Sequence, residues 1–278
     1  MTYEKKILIP TDFSQNAGDA LAYALAFLGN EKARLHIIHV VNTNVIVGDA
    51  PAAAADMIKM QMDHATESMK ALEAFGNTSN NKHITVSTGV HAGPTSPIIK
   101  REAEKIDADL IIMGTRGDQH NKMDKWLGSV SSNVIEEAPC PIILVPHDYK
   151  FKPIDNVIFC TSINHNDPYE LWRGIQRIHP NTAVVRALHV TTDDKDEVAK
   201  RVDDFAQYLV TASPKIDIVF DIINGENVEA SIEDYAEKYD AEMIIMHREK
   251  RNFWNRIFTK SHTKKMTSII KLPLLIMN

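Results

Sequence analysis

Cysteine is scarce in this chain: two of 278 residues, Cys140 and Cys160. Two thiols cannot form a disulfide scaffold for a chain this long. They fit a reducing cytoplasm, with both as small buried hydrophobes. Positive charge is also in deficit. The net charge is −6, so no global field draws the chain to nucleic acid or anionic lipid. No apolar run approaches the roughly 18 residues of a membrane span. The opening Met1-Thr-Tyr-Glu-Lys-Lys lacks the apolar core of a signal peptide. The expectation is a cytoplasmic protein whose partners include neither membrane nor nucleic acid. Gly-x-Ser-x-Gly, His-Glu-x-x-His and Gly-x-x-x-x-Gly-Lys-Ser/Thr are all missing. The 12 histidines are scattered without ligand spacing, so no metal site is expected. No motif places a general base, and no catalytic residue is assigned.

What the chain does have is internal repetition. Lys6-Ile-Leu-Ile-Pro-Thr-Asp12 recurs 150 residues later as Asn156-Val-Ile-Phe-Cys-Thr-Ser162. Leu35–Val40 matches Val185–Val190 at the same offset. Asp107–Met113 matches Asp240–Met246 at offset 133, and Cys140–Val145 matches Leu272–Met277 at offset 132. The second copy is therefore shorter between its second and fourth strands. Its missing piece corresponds to the stretch around Val45–Asp63. The predicted domains are 1–147 and 154–278.

Within the first copy, short β-branched apolar runs at 5–10, 35–41, 84–90, 109–113 and 141–145 read as strands buried on both faces. Helical patterns lie between them. Ser14 is a predicted N-cap for a helix to Leu28, with Gly29-Asn30 as its stop. Ile58, Met62, Ala65, Met69 and Leu72 form one helical stripe. Helices also open at Pro97 and at Gly128 or Ser129. The alternation gives a doubly wound α/β fold: two five-stranded parallel sheets of strand order 3-2-1-4-5, in tandem. Ligands in such sheets bind outside the carboxyl ends of the strands, where the order reverses.

Two loops meet there. One is Pro10-Thr-Asp-Phe-Ser14. The other is Gly114-Thr115-Arg116-Gly117, running on to Gly128-Ser129-Val130-Ser131 at a helix start. Glycines admit close backbone approach, and a helix N-terminus offers orphan amides and a positive dipole end. Ser129 and Ser131 add hydroxyls. Together they suit a phosphate, and Asp12 suits a ribose hydroxyl or base amino group. By spacing alone, the same glycines also serve as ordinary structural punctuation.

Pro-Thr-Asp-Phe-Ser after strand one, His39-Val40 at the end of strand two, and Gly93-Pro94 before helix three resemble the universal stress protein family. So do Met-Gly-Thr-Arg-Gly after strand four and Gly-Ser-Val-Ser before the last helix. The resemblance spans the chain as two domains, strongly over 1–146 and more weakly over 154–278. It implies ATP as cofactor, with magnesium as an accompanying ion. Gly114, Gly117, Gly128, Ser129, Val130 and Ser131 would hold phosphates and ribose, with Thr115 and Arg116 in the same loop. Pro10, Asp12 and Val40 would border adenine. Asp118–Leu127 is ten residues, one more than the family spacing of about nine, a difference that costs a loop a few tenths of a kcal/mol.

The second copy departs further. His247 stands for Gly114, Lys250 for Gly117, Lys260 for Gly128 and Ser162 for Asp12; only Ser261 is retained. It is expected not to bind ATP in the family manner. Between His247 and Lys265 it carries seven Lys or Arg, either a solvated face or an anion site.

The resemblance implies a nucleotide-dependent stress-response regulator or partner-binding protein, not an enzyme. A slow ATPase and a nucleotide-free scaffold binding a small molecule between the domains are the alternatives. The final strands, Ile142–Val145 and Leu274–Met277, are apolar edges that proteins usually cover. They predict an internal pseudo-dimer and leave a homodimer open.

Overall fold

The computed structural model describes residues 4–43, 51–77, 83–116, 127–163, 167–178, 184–192, 198, 202–203, 205, 207, 218–247 and 271–278. Described residues up to Phe151 form one compact unit and those from Lys152 onward another.

The first unit runs β1 (Lys5–Thr11), α1 (Gln15–Leu28), β2 (Ala33–Val41), α2 (Pro51–Gly76), β3 (Ile84–Ala92), α3 (Thr95–Ile106), β4 (Leu110–Gly114), α4 (Ser129–Glu137) and β5 (Ile142–Val145). Its five strands are parallel, in the order β3-β2-β1-β4-β5. Central β1 sits opposite Leu35 on one side and Leu110 on the other through Ile7. Ile7, Leu8 and Ile9 are all fully buried. A continuous apolar run is what a strand covered on both faces requires.

The second unit runs β6 (Asn156–Cys160), α5 (Asp167–Ile178), β7 (Val184–Thr191), β8 (Ile218–Asn224), α6 (Val228–Lys238), β9 (Met243–His247) and β10 (Leu274–Met277). Its parallel order is β8-β7-β6-β9-β10. Each half therefore carries the 3-2-1-4-5 sheet that the repeat predicts. The shortening falls between the second and third strands. The third strand, β8, has no partner among the matched segments, because its Val-Phe-Asp-Ile run shares only pattern with β3.

Local chemistry sets the helix ends. Ser14 caps α1 by accepting from the Ala17 amide at 3.2 Å, and Gly29 stops it at φ 52°. Along α2, Ala65 and Met69 are buried while Ile58, Met62 and Leu72 are half-buried, so the stripe faces inward. α3 begins at Thr95, two residues before Pro97, with Pro94 as its cap residue; proline is tolerated within the first turn because those amides lack helical partners.

One repeated device ties strands to the sheet. The Asp109 carboxylate accepts from the Lys6 amide at 2.9 Å. Glu242, at the matching place, accepts from the Asn156 amide at 2.7 Å. Each acid satisfies a backbone donor at the start of its central strand, which explains an acid before both β4 and β9.

Candidate functional site

At the carboxyl ends of β1 and β4, the first half forms a knot centred on Asn16. This side chain is 2% exposed. Its Nδ2 donates to Val145 O at 3.1 Å, and its Oδ1 accepts from the Arg116 amide at 3.0 Å. The Thr115 hydroxyl lies 3.4 Å from the same oxygen. Asn16 thus ties α1, β5 and the loop after β4 together. A Cβ on Gly114 would stand 2.6 Å from Asn16 Oδ1 and 3.0 Å from Asn16 O. The absence of a side chain at Gly114 therefore serves the packing of α1.

The loop then meets α4. The Gly128 amide donates to Thr115 O at 2.9 Å, and the Ser131 hydroxyl donates to Gly114 O at 3.2 Å. Gly128 is the N-cap of α4 at φ −67°, without a side-chain cap. The first α4 amides, at Ser129, Val130 and Ser131, therefore have no capping oxygen from that residue. This is the arrangement that suits an anion. Ser129 is exposed and Val130 half-buried, so this end faces outward. The Ser131 hydroxyl proton is committed to Gly114 O, leaving Ser131 its amide as donor toward a ligand.

On the neighbouring central strand, Pro10 and Thr11 end β1. Asp12 is exposed, and its Oδ1 accepts from the Ser14 amide at 3.1 Å. Phe13 takes a left-handed φ of 63°, and its amide donates to Thr11 Oγ1 at 3.1 Å. The Phe13 ring lies 4.6 Å from His39. His39 Nδ1 is 2.8 Å from Thr11 O. A carbonyl only accepts, so Nδ1 carries the proton. Burial lowers the His39 pKa, against the opposing pull of that hydrogen bond and of Asp12. His39 is a structural brace at the strand end. Val40 follows it, half-buried, opposite His91 of β3.

The structure thus brings Pro10, Asp12, Gly114, Thr115, Arg116, Gly128, Ser129, Val130 and Ser131 to the ends of β1 and β4, with Val40 on neighbouring β2. Gly117 and the longer stretch 118–126 lie outside the described residues. Sequence reading passed over Asn16. Its signal was present: it shares the inward i, i+4 row of α1 with Ala20 and Ala24, and a polar residue in such a row needs buried partners.

The second half repeats the backbone with other side chains. Ile163 takes φ 58°, its amide donates to Thr161 Oγ1 at 2.9 Å, and His189 Nδ1 is 2.8 Å from Thr161 O. Asp167, 1% exposed, accepts from the Thr161 hydroxyl at 2.5 Å and the Ser162 amide at 3.0 Å. His247 occupies the wall where Gly114 stands in the first half. A cavity of about 110 Å³ opens at the ends of β6, β7 and β9. Burial pushes the Cys160 thiol on its wall up to about 12, so it stays protonated. Lys250, Lys260, Ser261 and most of the basic segment 247–265 lie outside the described residues.

A doubly wound parallel sheet in each half, with a helix start lacking a side-chain cap at the switch point of the first and a cavity at that of the second, defines an α/β protein. The family profile of the Universal stress protein family matches residues 4–146, and the chain belongs to that family. A universal stress protein of Methanocaldococcus jannaschii is 31% identical over 141 residues, covering 51% of this chain and 81% of that protein. One from Synechocystis is 31% identical over 142 residues, covering 51% and 85%. For the fold of both halves, the crystal structure of a universal stress protein from Archaeoglobus fulgidus covers 98% of this chain and 96% of its own, with a TM-score of 0.68 at 19% identity. Among the described residues, no helix is long and apolar enough to cross a membrane.

Proposed function

We propose that this chain is a tandem universal stress protein whose first half binds ATP, and that the bound nucleotide sets a conformation or partner surface in a stress response. The observation that carries this reading is the start of α4: a buried glycine cap without a capping side chain, which leaves the amides of Ser129, Val130 and Ser131 without a capping oxygen from that residue, next to the Gly114–Arg116 loop. These residues fit a polyphosphate. In this reading Pro10, Asp12 and Val40 border the base and ribose, and Gly117 is assigned to the phosphates. Magnesium, in this reading, rides on the phosphates. ATP supplies a charged, exchangeable ligand; the chain's own residues bind and orient it, and none is assigned to hydrolysis. The protein acts in the cytoplasm and is regulatory.

Ser129→Glu tests the reading. An acid in the first turn is favourable for the helix by about 0.3–1 kcal/mol, so the variant folds. Its carboxylate occupies the anion position. Calorimetric ATP binding is expected to fall beyond detection. Wild-type ATP affinity in the folded variant refutes the assignment of phosphates to α4.

A further inference from the structure

α2 is longer than the sheet it covers. Its later turns pack along β3 in the opposite direction. Asn77 Nδ2 donates to Val86 O at 3.1 Å, and the Thr88 hydroxyl donates to Glu73 Oε2 at 2.8 Å. Beyond Thr88, β3 runs on only to Ala92, about 13 Å at roughly 3.3 Å per residue. A helix covers that distance in about nine residues, which leads back from Glu73 to His64. Burial ends at the same place. Ala65 and Met69 are buried, and no residue from Ala53 to His64 is. The first turns of α2 therefore reach past the end of β3. The offset between the two copies falls from 150 to 133 across this stretch, yet both halves form a sheet of the same order. The fold does not need these turns.

They carry apolar surface nonetheless. Met60 is 72% exposed and Met57 54%, the two most exposed large hydrophobic side chains among the described residues. Ala53, Met57, Met60 and His64 follow at spacings of four, three and four, which makes one straight row along a helix. All four are exposed. Asp56 and Asp63, also exposed, border the row on one side, and Lys59 lies beyond them, farther from the methionines. Methionine adapts its shape to a partner and is enriched at protein interfaces. The two acids select a partner of positive charge by complementarity. A second copy laid antiparallel would set these acids against the same acids, a disfavoured pairing.

We infer that the first turns of α2 dock a basic amphipathic helix of a partner protein. Its apolar residues, at helical spacing, lie on Met57 and Met60, and its Lys or Arg residues face Asp56 and Asp63. The row is about 17 Å long, so the contact is small and the complex transient. None of these residues belongs to the proposed ATP site, so the inference stands or falls apart from that reading.

The test uses the full chain with labelled methionine methyl groups, the signals being assigned through Met57→Leu and Met60→Leu. The probe is a fluorescent peptide of leucine and lysine at amphipathic helical spacing, and its control has glutamate in place of lysine. The lysine peptide is expected to shift the Met57 and Met60 methyls saturably and to leave buried Met113 unmoved. The glutamate peptide is expected to shift none of them. By fluorescence anisotropy, Asp56→Lys with Asp63→Lys should weaken binding of the lysine peptide about tenfold, and Met57→Ser with Met60→Ser should abolish it. All four positions are exposed, so both variants fold. Unmoved Met57 and Met60 signals overturn the inference. So does equal affinity for the two peptides, or unchanged affinity in the charge-reversed variant. A dimer of the unaltered chain that Met57→Ser with Met60→Ser returns to monomer, seen by light scattering, gives this face to a second copy and overturns it as well.

Discussion

The two halves share a backbone frame at the end of the central strand and differ in the side chains set upon it. In both, a residue in the loop after the central strand turns through a left-handed φ, at Phe13 and Ile163. In both, a histidine braces the turn at 2.8 Å from a threonine carbonyl. Beneath this common frame, the first half packs Asn16 against Gly114, and the second sets buried Asp167 near His247. The first pairing leaves a loop close to uncapped helix amides. The second leaves a cavity bordered by His247 and by both apolar and polar side chains. The frame is set by strand ends and turns; the ligand chemistry is set by a few side chains hung on it.

Exchanging residues between the halves gives the largest effect. Gly114→His should lose about 3 kcal/mol of stability in urea unfolding, because its Cβ meets Asn16 within 3 Å and overpacking costs that order. It should also lose ATP binding. A stable, ATP-binding variant would mean that the close approach of Asn16 is dispensable.

Removing each half's knot comes next. Asn16→Ala leaves Val145 O and the Arg116 amide without that partner, for about 2 kcal/mol. Asp167→Ala removes acceptors from Thr161 and Ser162 but also removes a buried charge, so the expected cost is nearer 1 kcal/mol. Denaturant melts of the two variants check the ranking. An Asp167→Ala loss larger than that of Asn16→Ala would reverse the comparison.

The smallest effect is on pH dependence. Burial lowers the pKa of His36 and of His39 in the folded first half. The unfolded chain therefore takes up protons first. The associated stability is fully present above the unfolded value of about 6.5 and declines as pH falls below it. His39→Gln should flatten the loss between about pH 6.5 and 5. A melting profile with the same slope as the parent chain would remove His39 from the account.

Much of this was legible in the sequence. Four apolar segments recur, one pair of them behind matching acids, Asp109 and Glu242, and Gly128-Ser-Val-Ser announces a helix start. Other features were not. Gly114 reads equally as a ligand glycine and as a packing glycine, and only the distance to Asn16 separates them. The Asp167 cluster was hidden because its acid lies five residues beyond Ser162 in chain, whereas the first half uses Asp12 on the loop itself. Nothing in the exchange of glycine for histidine at 247 signals a cavity, since a side chain there is equally able to fill the space it borders. The third strand of the second half shares hydrophobic pattern with its counterpart but no residues.

One half, and only one, is proposed to hold a nucleotide. Titration calorimetry of the full chain with ATP tests it most directly. One site per chain is expected, lost completely in Ser129→Glu. Two sites per chain, or one that survives in Ser129→Glu, would contradict it.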